Sequence, residues 1–174
     1  FTSALLLRCV ERGTLDLDTP ILRYSSAIPE PGATVRHVFT HTSEGTPGRM
    51  YRYNGDRYGA LTAVVEACSG SSIRELFRDM LDRAAMQDSV PGHDLEENVD
   101  AISLFDEVTL RRYRQTLARI TKPYKLDSRG RVVGSAYPPK GINASAGLVS
   151  TAHDLALYDQ SLASHLFISS ASQE

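Results

Sequence analysis

The apolar residues between Ile73 and Leu81 repeat with the period of an α-helix, and this repeat constrains the fold more than any other feature of the chain. Its members stand at positions i, i+3, i+4, i+7 and i+8 and are Ile73, Leu76, Phe77, Met80 and Leu81. This spacing places all the apolar side chains on one face, which must be buried against other elements. Ser72 and Glu75 form the pattern of a capping box at the start. The sequence therefore predicts a capped amphipathic helix in a mainly α-helical protein.

Similar but weaker patterns predict helices along most of the chain. They cover residues 2–12, about 34–41, 57–68, about 104–120, and a segment that begins after a Thr151/Asp154 capping box and ends near Ser164. Residues 14–21 alternate and are compatible with a short extended stretch, but no strand signal is strong enough for a large sheet. Residues 121–147 are rich in Pro, Gly and Ser, and this composition predicts a long irregular loop.

The composition excludes some classes of partner. The chain is 41% hydrophobic and 23% charged, which is ordinary for a globular protein. Its net charge of -2 gives no general argument for nucleic acid or for an anionic membrane. No apolar run approaches the roughly 20 residues of a membrane span. We therefore expect neither a nucleic-acid partner nor a membrane span.

Charge is nevertheless segregated along the chain. Acidic residues concentrate in 94–107, and basic residues concentrate in 111–131. The simpler interpretation is two solvated faces that attract each other, and the alternative is a site for an anionic ligand. Aromatic residues are not interleaved with the basic ones as base stacking would require, which argues against nucleic acid.

Cys9 and Cys68 both fall on apolar stripes of predicted helices. Buried free thiols are the favoured interpretation, because free cysteine behaves as a small apolar residue. Neither residue lies in a Cys-x-x-Cys motif or beside a cationic cluster, so a disulfide or a reactive thiol has little support.

His37 and His41 are four residues apart and would share a face of one helix. That spacing suits a pair of zinc ligands, and Glu44 lies nearby. The sequence has no His-Glu-x-x-His motif and no clear third ligand. We therefore predict no metal site and no cofactor, with His41 buried or capping in a turn.

Tyr53 stands in a Tyr-rich segment beside an Asn54-Gly55 turn dipeptide, with Arg52 and Arg57 as neighbours. A phenol is a poor base at neutral pH, because its ordinary pKa is about 10. Adjacent cations favour the phenolate form. From these residues alone, a tyrosine in a surface turn and a catalytic phenol both remain open.

Five short motifs follow one another in a characteristic order. They are GTLDLDTP at 13–20, THTSEG at 40–45, YRYNGDRYGAL at 51–61, RAAMQDSVPG at 83–92 and ASAGLVSTAHDLALY at 144–158. This succession resembles the serine β-lactamase and penicillin-binding-protein superfamily, in its class C-like branch of β-lactamases, DD-peptidases and esterases. Each motif is weak alone, but the order makes the resemblance specific.

The resemblance implies a mainly α fold, the helical lobe of the α/β serine β-lactamase/transpeptidase-like fold with most of the antiparallel sheet missing. Residues 1–174 would form a single partial domain, with 1–13 as the remainder of the active-site helix and 14–165 as the helical lobe. The implied activity is hydrolysis of an amide or ester bond through a serine acyl-enzyme, on a small-molecule or peptide acyl substrate. By position, Tyr53 would be the catalytic proton shuttle and Asn54 a substrate-binding residue. A periplasmic or extracellular location is also implied.

The chain departs from the family pattern at several places. Gly55 stands where the family has the Asn of its Tyr-x-Asn motif, so Asn54 is one place early. Glu44 replaces a glycine, and RAAM replaces PLGM. No Ser-x-x-Lys occurs in the chain, nor does the family's later Lys-Thr-Gly or His-x-Gly strand. We expect the nucleophile to lie before Phe1 and this chain alone to be inactive.

Three functional hypotheses follow. The parent is a serine hydrolase, or it is a non-catalytic relative that uses the same lobe for binding or as a scaffold, or the chain is an unrelated helical interaction module that uses its charged runs. An apolar face meant for a missing lobe would be exposed, and this predicts marginal packing or self-association.

Overall fold

The computed structural model describes residues 1–95, 97–137 and 141–173. Its elements, in chain order, are helices and short strands with a 3-10 turn at Ile21–Arg23. The helices are α1 Thr2–Glu11, α2 Val35–Phe39, α3 Gly55–Tyr58, α4 Leu61–Ser69, α5 Ile73–Arg83, α6 Val99–Ser103, α7 Glu107–Leu117, α8 Ala152–Ala163 and α9 Ser170–Gln173. The strands are β1 Val90–Pro91, β2 Tyr124–Leu126, β3 Val132–Gly134 and β4 Leu148–Val149.

The amphipathic helix α5 forms as its sequence predicts. The Ser72 hydroxyl accepts a hydrogen bond from the Glu75 N–H, and the Glu75 carboxylate accepts one from the Ser72 N–H. Its apolar stripe is buried, with Leu76 at its edge. The preceding helix α4 ends at Gly70, whose φ of 75° is a left-handed conformation that glycine adopts at little cost. A mainly α fold is therefore confirmed.

Two apolar clusters make up the core. The larger one joins α1, α2, α4 and α5, and Phe167 and Ile168 close it after α8. A smaller one packs Phe105 of the α6–α7 connection against Tyr113 of α7, with their rings edge to face at 5.3 Å between centroids. Within the described residues, no helix combines the length and the apolar character needed to cross a bilayer.

Several predicted boundaries are wrong in detail. The helix predicted at 57–68 is divided at Gly59-Ala60 into α3 and α4. The helix predicted at about 104–120 is confined to α7 and is preceded by a separate short helix, α6. The loop predicted at 121–147 contains the antiparallel hairpin β2–β3. The hairpin was missed because its strands are only three residues long and their side chains are exposed or half-buried.

The expectation of free thiols at Cys9 and Cys68 is also wrong, because the two residues form a disulfide between α1 and α4. Their Cα atoms are 6.0 Å apart. The apolar stripes were identified correctly, but they face each other where the two helices pack, which no local motif reveals. A cross-link between residues separated by 59 positions stabilises a fold by about 4 kcal/mol in the chain-entropy treatment.

The predicted capping box at the start of α8 is half right. The Thr151 hydroxyl accepts the Asp154 N–H and so caps the helix. The buried Asp154 carboxylate reaches away from its own helix. It accepts hydrogen bonds from the Ser89 hydroxyl at 2.7 Å and the Asp88 N–H at 2.8 Å. These bonds hold α8 against the strand pair β1–β4, in which Val90 faces Val149.

A buried ion pair joins α5 to the segment after β1. Arg74 and Asp94 expose 9% and 12% of their side chains. Both Asp94 oxygens accept from Arg74 Nη2 at 2.9 Å, and Arg74 Nη1 donates to the Pro91 carbonyl. Asn98, the N-cap of α6, also donates to Asp94. Burial raises the pKa of Asp94, but the hydrogen bonds from Asn98 and Arg74 outweigh it, so that its pKa lies below the ordinary value.

The basic run pairs largely with acids outside the acidic run. Arg112 pairs with Asp82, Arg119 with Asp88, and Arg131 with Asp127. Within the described residues, the pair Arg114–Glu107 joins the two runs directly. Glu96 of the acidic run lies outside the described residues. Much of the basic charge is thus locally neutralised.

We predict that Asp94→Asn lowers the free energy of unfolding at pH 7 by about 3 kcal/mol, because it leaves the buried Arg74 cation without its counter-charge. The folded pKa of Asp94 is depressed, so its contribution is present above the unfolded value and is lost as pH falls through the folded value. Urea unfolding at a series of pH values should show wild type and variant converging below about pH 4. Asp159→Asn, on the exposed side of α8, is the control. A pH-independent difference would contradict the prediction.

Candidate functional site

The loop between α2 and α3 is organised around His41. This residue has a φ of 55°, an uncommon left-handed conformation for a side-chain-bearing residue, and it turns the chain away from the end of α2. The His41 carbonyl accepts the Arg52 N–H at 2.8 Å. The His41 Nδ1 atom accepts the Asn54 N–H at 3.4 Å. One histidine thus holds the backbone on both sides of Tyr53.

The His41 ring is also the centre of an aromatic cluster, which consists of His41, Tyr51, Tyr53 and Tyr58. Its centroid lies 4.9 Å from that of Tyr53 and 4.9 Å from that of Tyr58, with the Tyr58 ring stacked at 22°. Tyr51 approaches edge to face at 5.8 Å. Contacts of this kind orient rings as well as burying them.

Tyr53, the predicted catalytic residue, is 71% exposed. Its hydroxyl lies over the start of α3, since a Cβ atom at Gly55 would be 3.6 Å from the Tyr53 oxygen. An accessible phenol that is oriented by a neighbouring ring can reach a reacting group outside its own loop.

Asn54, the predicted substrate-binding residue, is the N-cap of α3. Its Oδ1 atom accepts the Arg57 N–H at 3.1 Å. The amide oxygen is therefore engaged in starting the helix. A role in binding substrate remains a prediction, and it would use the amide nitrogen or the second lone pair of Oδ1.

Arg57 anchors α3 to two other turns. Its guanidinium donates to the Glu30 carboxylate, to the Ser43 hydroxyl and to the Ser43 carbonyl. The hydrogen bond from Arg57 lowers the pKa of Glu30 despite its partial burial. Arg52 pairs in the same way with Glu44 at 3.1 Å. Both cations that flank Tyr53 in sequence are thus neutralised by carboxylates.

The start of α1 lies beside the aromatic cluster. A cavity of about 330 Å³, here called the helix-start cavity, is lined by Phe1, Ser3, Tyr58 and residues 143–148. The Thr2 hydroxyl donates to the Ala144 carbonyl at 2.7 Å, which fixes the far wall to the helix. Burial raises the pKa of Tyr58 although Ser3 hydrogen-bonds to it, so Tyr58 remains a neutral phenol.

His37 and His41 do not form the shared face expected from their spacing, because α2 ends at Phe39 between them. The His37 Nδ1 atom accepts the Thr34 N–H at 3.1 Å and so caps α2 from within. The described part of the chain contains no group of three or more His, Cys, Asp or Glu residues placed to hold a metal ion.

The sequence predicted a role for Tyr53 but did not associate it with His41 and Tyr58, whose rings form one cluster with it. The THTSE motif and the Tyr-rich motif were the available signals, since both were recognised separately. Their meeting depends on the left-handed turn at His41, which has no sequence signature in a histidine.

Comparison with known proteins places the whole chain in one family. A family model described as Beta-lactamase matches residues 1–174. The octameric penicillin-binding protein homologue from Pyrococcus abyssi has a TM-score of 0.73 and 22% identity, over 98% of this chain and 45% of that one. The penicillin-binding protein from Bacillus halodurans has a TM-score of 0.75 and 19% identity, over 98% and 60% of the two chains.

A D-stereospecific amidohydrolase from Streptomyces sp. is similar over 98% of this chain and 60% of that one, with a TM-score of 0.70 and 15% identity. At these identities the structures demonstrate a shared fold. The chain spans less than two thirds of each of these proteins. No curated protein matches it.

We predict that His41→Phe releases the backbone at Tyr53, since it keeps a ring but removes the Nδ1 acceptor. The Asn54 N–H should exchange with solvent roughly 2- to 10-fold faster, the range expected for one lost hydrogen bond. His41→Asn should protect it better, because asparagine tolerates positive φ and offers an acceptor oxygen. Hydrogen-exchange NMR checks both.

His165→Phe is the matched control, because His165 is exposed and has the same φ of 55°. It places phenylalanine in the same left-handed conformation and so imposes a similar backbone strain, but at a position far from Asn54 in sequence. Equal acceleration in His165→Phe and His41→Phe would show that the effect is general destabilisation.

Proposed function

This chain belongs to the β-lactamase family, and on that premise we propose that it supplies the helical lobe and the proton-shuttling tyrosine of a serine hydrolase. The hydrolase cleaves an amide or ester bond through a serine acyl-enzyme. The observation that carries the proposal is that His41 orients Tyr53 within the same aromatic cluster as Tyr58, which lines the cavity at the start of α1.

The geometry supports a division of tasks between the tyrosines. Tyr58 is partly buried and stays protonated, whereas Tyr53 is exposed and accessible. A proton shuttle has to exchange protons with both the nucleophile and the leaving group, so the accessible phenol is the suitable one. Tyr58 instead supports the ring of His41.

The charges around Tyr53 explain why we expect residues 1–174 alone to be inactive. Arg52 and Arg57 are each paired with a carboxylate and supply little net positive charge to the phenol. Activation of Tyr53 near neutral pH then needs another cation, such as the lysine of a Ser-x-x-Lys motif. Residues 1–174 contain no such motif, and the proposal assigns both the nucleophile and this cation to sequence outside them.

The substrate class is proposed as a β-lactam, a D-Ala-D-Ala peptide or a small ester. Among the similar structures, the amidohydrolase favours an amide. A periplasmic or extracellular location accompanies this proposal, and the Cys9–Cys68 disulfide supports it because disulfides persist in oxidising compartments.

A non-catalytic scaffold is the second candidate. It is favoured by Gly55 at the position of the family Asn and by the use of the Asn54 oxygen as a helix cap. Glu44, which replaces a family glycine, neutralises Arg52 beside the site. In this reading the same lobe binds a ligand or partner without forming an acyl-enzyme.

Self-association is a further part of the proposal. Tyr124, Leu126 and Val132 share one face of the β2–β3 hairpin and are all largely exposed. A related penicillin-binding protein homologue is an octamer. Sedimentation equilibrium should show association of this chain that Leu126→Lys weakens and that Val108→Lys, at an exposed site on α7, leaves unchanged. A monomer at all concentrations would contradict it.

We predict that Tyr53→Phe slows acylation of the full-length protein by about 10²- to 10⁴-fold, the usual contribution of a positioned proton-transfer group. The rate of labelling by a fluorescent penicillin, with nitrocefin and p-nitrophenyl acetate as parallel substrates, measures the effect. Tyr51→Phe is the control, because Tyr51 is an exposed member of the same aromatic cluster.

Residues 1–174 alone should neither be labelled nor hydrolyse these substrates. Equal labelling of wild type and Tyr53→Phe would remove Tyr53 from the mechanism. A full-length sequence without Ser-x-x-Lys would favour the scaffold.

A further inference from the structure

A second and larger cavity lies on the other side of β4 from the helix-start cavity. It encloses about 680 Å³, which is within the usual range for small-molecule sites. We call it the α7–β4 cavity, and its walls come from the end of α7, from the segment after β1 and from β4. Its apolar lining residues include Ile120, Leu148 and Val149.

One side of this cavity is formed by closely packed backbone at Gly147 and Gly141. Gly147 has a φ of 110°, and a Cβ atom there would lie 2.5 Å from the Gly141 carbonyl oxygen. A side chain at position 147 would therefore displace backbone. The two strands β1 and β4 continue the same wall through the pair Pro91–Leu148. This wall therefore consists of backbone that the β1–β4 pairing and the close approach at Gly147 hold in place.

Two polar groups in the lining have no hydrogen-bond partner within the described part of the chain. They are the hydroxyl of Thr116, a residue that is 7% exposed, and the Nδ1 atom of His93. Leaving a buried polar group unpaired is unfavourable, because its hydrogen bonds to water are lost without replacement, so such groups usually have a water or ligand partner. The coincidence of two of them around one cavity points to a ligand with a hydrogen-bonding group.

The charged side chains and aromatic rings that line the α7–β4 cavity indicate which chemical class of ligand it can bind. The two ionic lining residues, Arg119 and Asp88, pair with each other and so offer little net charge. His93 and Tyr137 form an edge-to-face pair with 6.1 Å between ring centroids. Rings in this arrangement also present surfaces on which a flat ligand can pack.

We propose that the α7–β4 cavity binds an uncharged, mainly apolar aromatic molecule that carries one hydroxyl group. The ring packs against Ile120, Leu148 and Tyr137, and the hydroxyl pairs with Thr116 or His93. This site is separate from Tyr53 and does not depend on the proposed hydrolase function.

Three probes of one shape test the chemical class on this chain. 2-Naphthol carries the hydroxyl, naphthalene lacks it, and 2-naphthoate replaces it with a negative charge. Titration followed by ¹H–¹⁵N NMR should give saturable shifts in α7 and β4 with 2-naphthol, and weaker binding of the other two. Tighter binding of 2-naphthoate, or shifts that never saturate, would overturn the proposal.

Substitutions test the location. Thr121→Trp places an indole at the mouth of the cavity and should abolish the saturable shifts. Val108→Trp is the matched control, because Val108 is exposed in the first turn of α7, at the opposite end from the cavity, and is not part of the lining. Binding of 2-naphthol that survives Thr121→Trp, or that is lost equally in both variants, would place the ligand elsewhere.

A conservative pair tests the hydroxyl itself. Thr116→Val keeps the shape and removes the hydroxyl, and it should weaken 2-naphthol roughly 2- to 10-fold while leaving naphthalene unchanged. Thr116→Ser keeps the hydroxyl and should retain the preference for 2-naphthol. The same 2-naphthol affinity in wild type, Thr116→Val and Thr116→Ser would overturn recognition through Thr116.

Discussion

The buried ion pair between Arg74 and Asp94 is the interaction on which the arrangement of the other elements depends. A buried charge is tolerated only when its remaining hydrogen-bonding positions are satisfied. Here the Pro91 carbonyl and the Asn98 amide provide the additional partners. Glycines at 92 and 141 allow the backbone to approach the pair closely, and a Cβ atom at Gly141 would already lie 3.1 Å from Asp94. One interaction thus links α5, the turn after β1, the start of α6 and the segment that enters the helix-start cavity.

The buried carboxylate of Asp154 is a second polar contact that fixes the chain between Gly141 and Ser150. It acts near Ser150, at the opposite end from the Arg74–Asp94 pair. It holds Ser89, whose hydroxyl also lies 2.7 Å from that of Ser150. Between these two polar contacts, hydrogen bonds hold both the carbonyl and the N–H of Ala144. Its carbonyl accepts from Thr2, and its N–H donates to Thr62 at 2.9 Å. The wall that separates the two cavities is therefore held by polar contacts to α1, α4, α5 and α8, so its geometry depends on the whole lobe.

The range of an interaction along the chain decides which features the sequence could predict. The apolar stripe and capping box of α5 depend on residues at most eight positions apart, and they were predicted correctly. The Cys9–Cys68 disulfide and the Arg74–Asp94 pair join residues 59 and 20 positions apart, and no local pattern specified either of them. The family resemblance supplied part of the missing information, because the order of motifs carries the topology of a known fold. It proposed Tyr53 as a site residue, a role that stays a prediction, but it did not show that His41 would hold the backbone on both sides of Tyr53.

The candidate site separates orientation of a phenol from its activation. Orientation is supplied within this chain, since His41 binds the backbone at Arg52 and Asn54 and its ring contacts those of Tyr53 and Tyr58. Activation is not supplied to the same extent, because Glu44 and Glu30 neutralise the neighbouring arginines. An oriented phenol without an adjacent net positive charge is a weak base at neutral pH. Under the proposed function, catalysis through Tyr53 therefore requires a cation from outside residues 1–174, and the proposed site becomes competent only where that cation meets the phenol that this lobe orients.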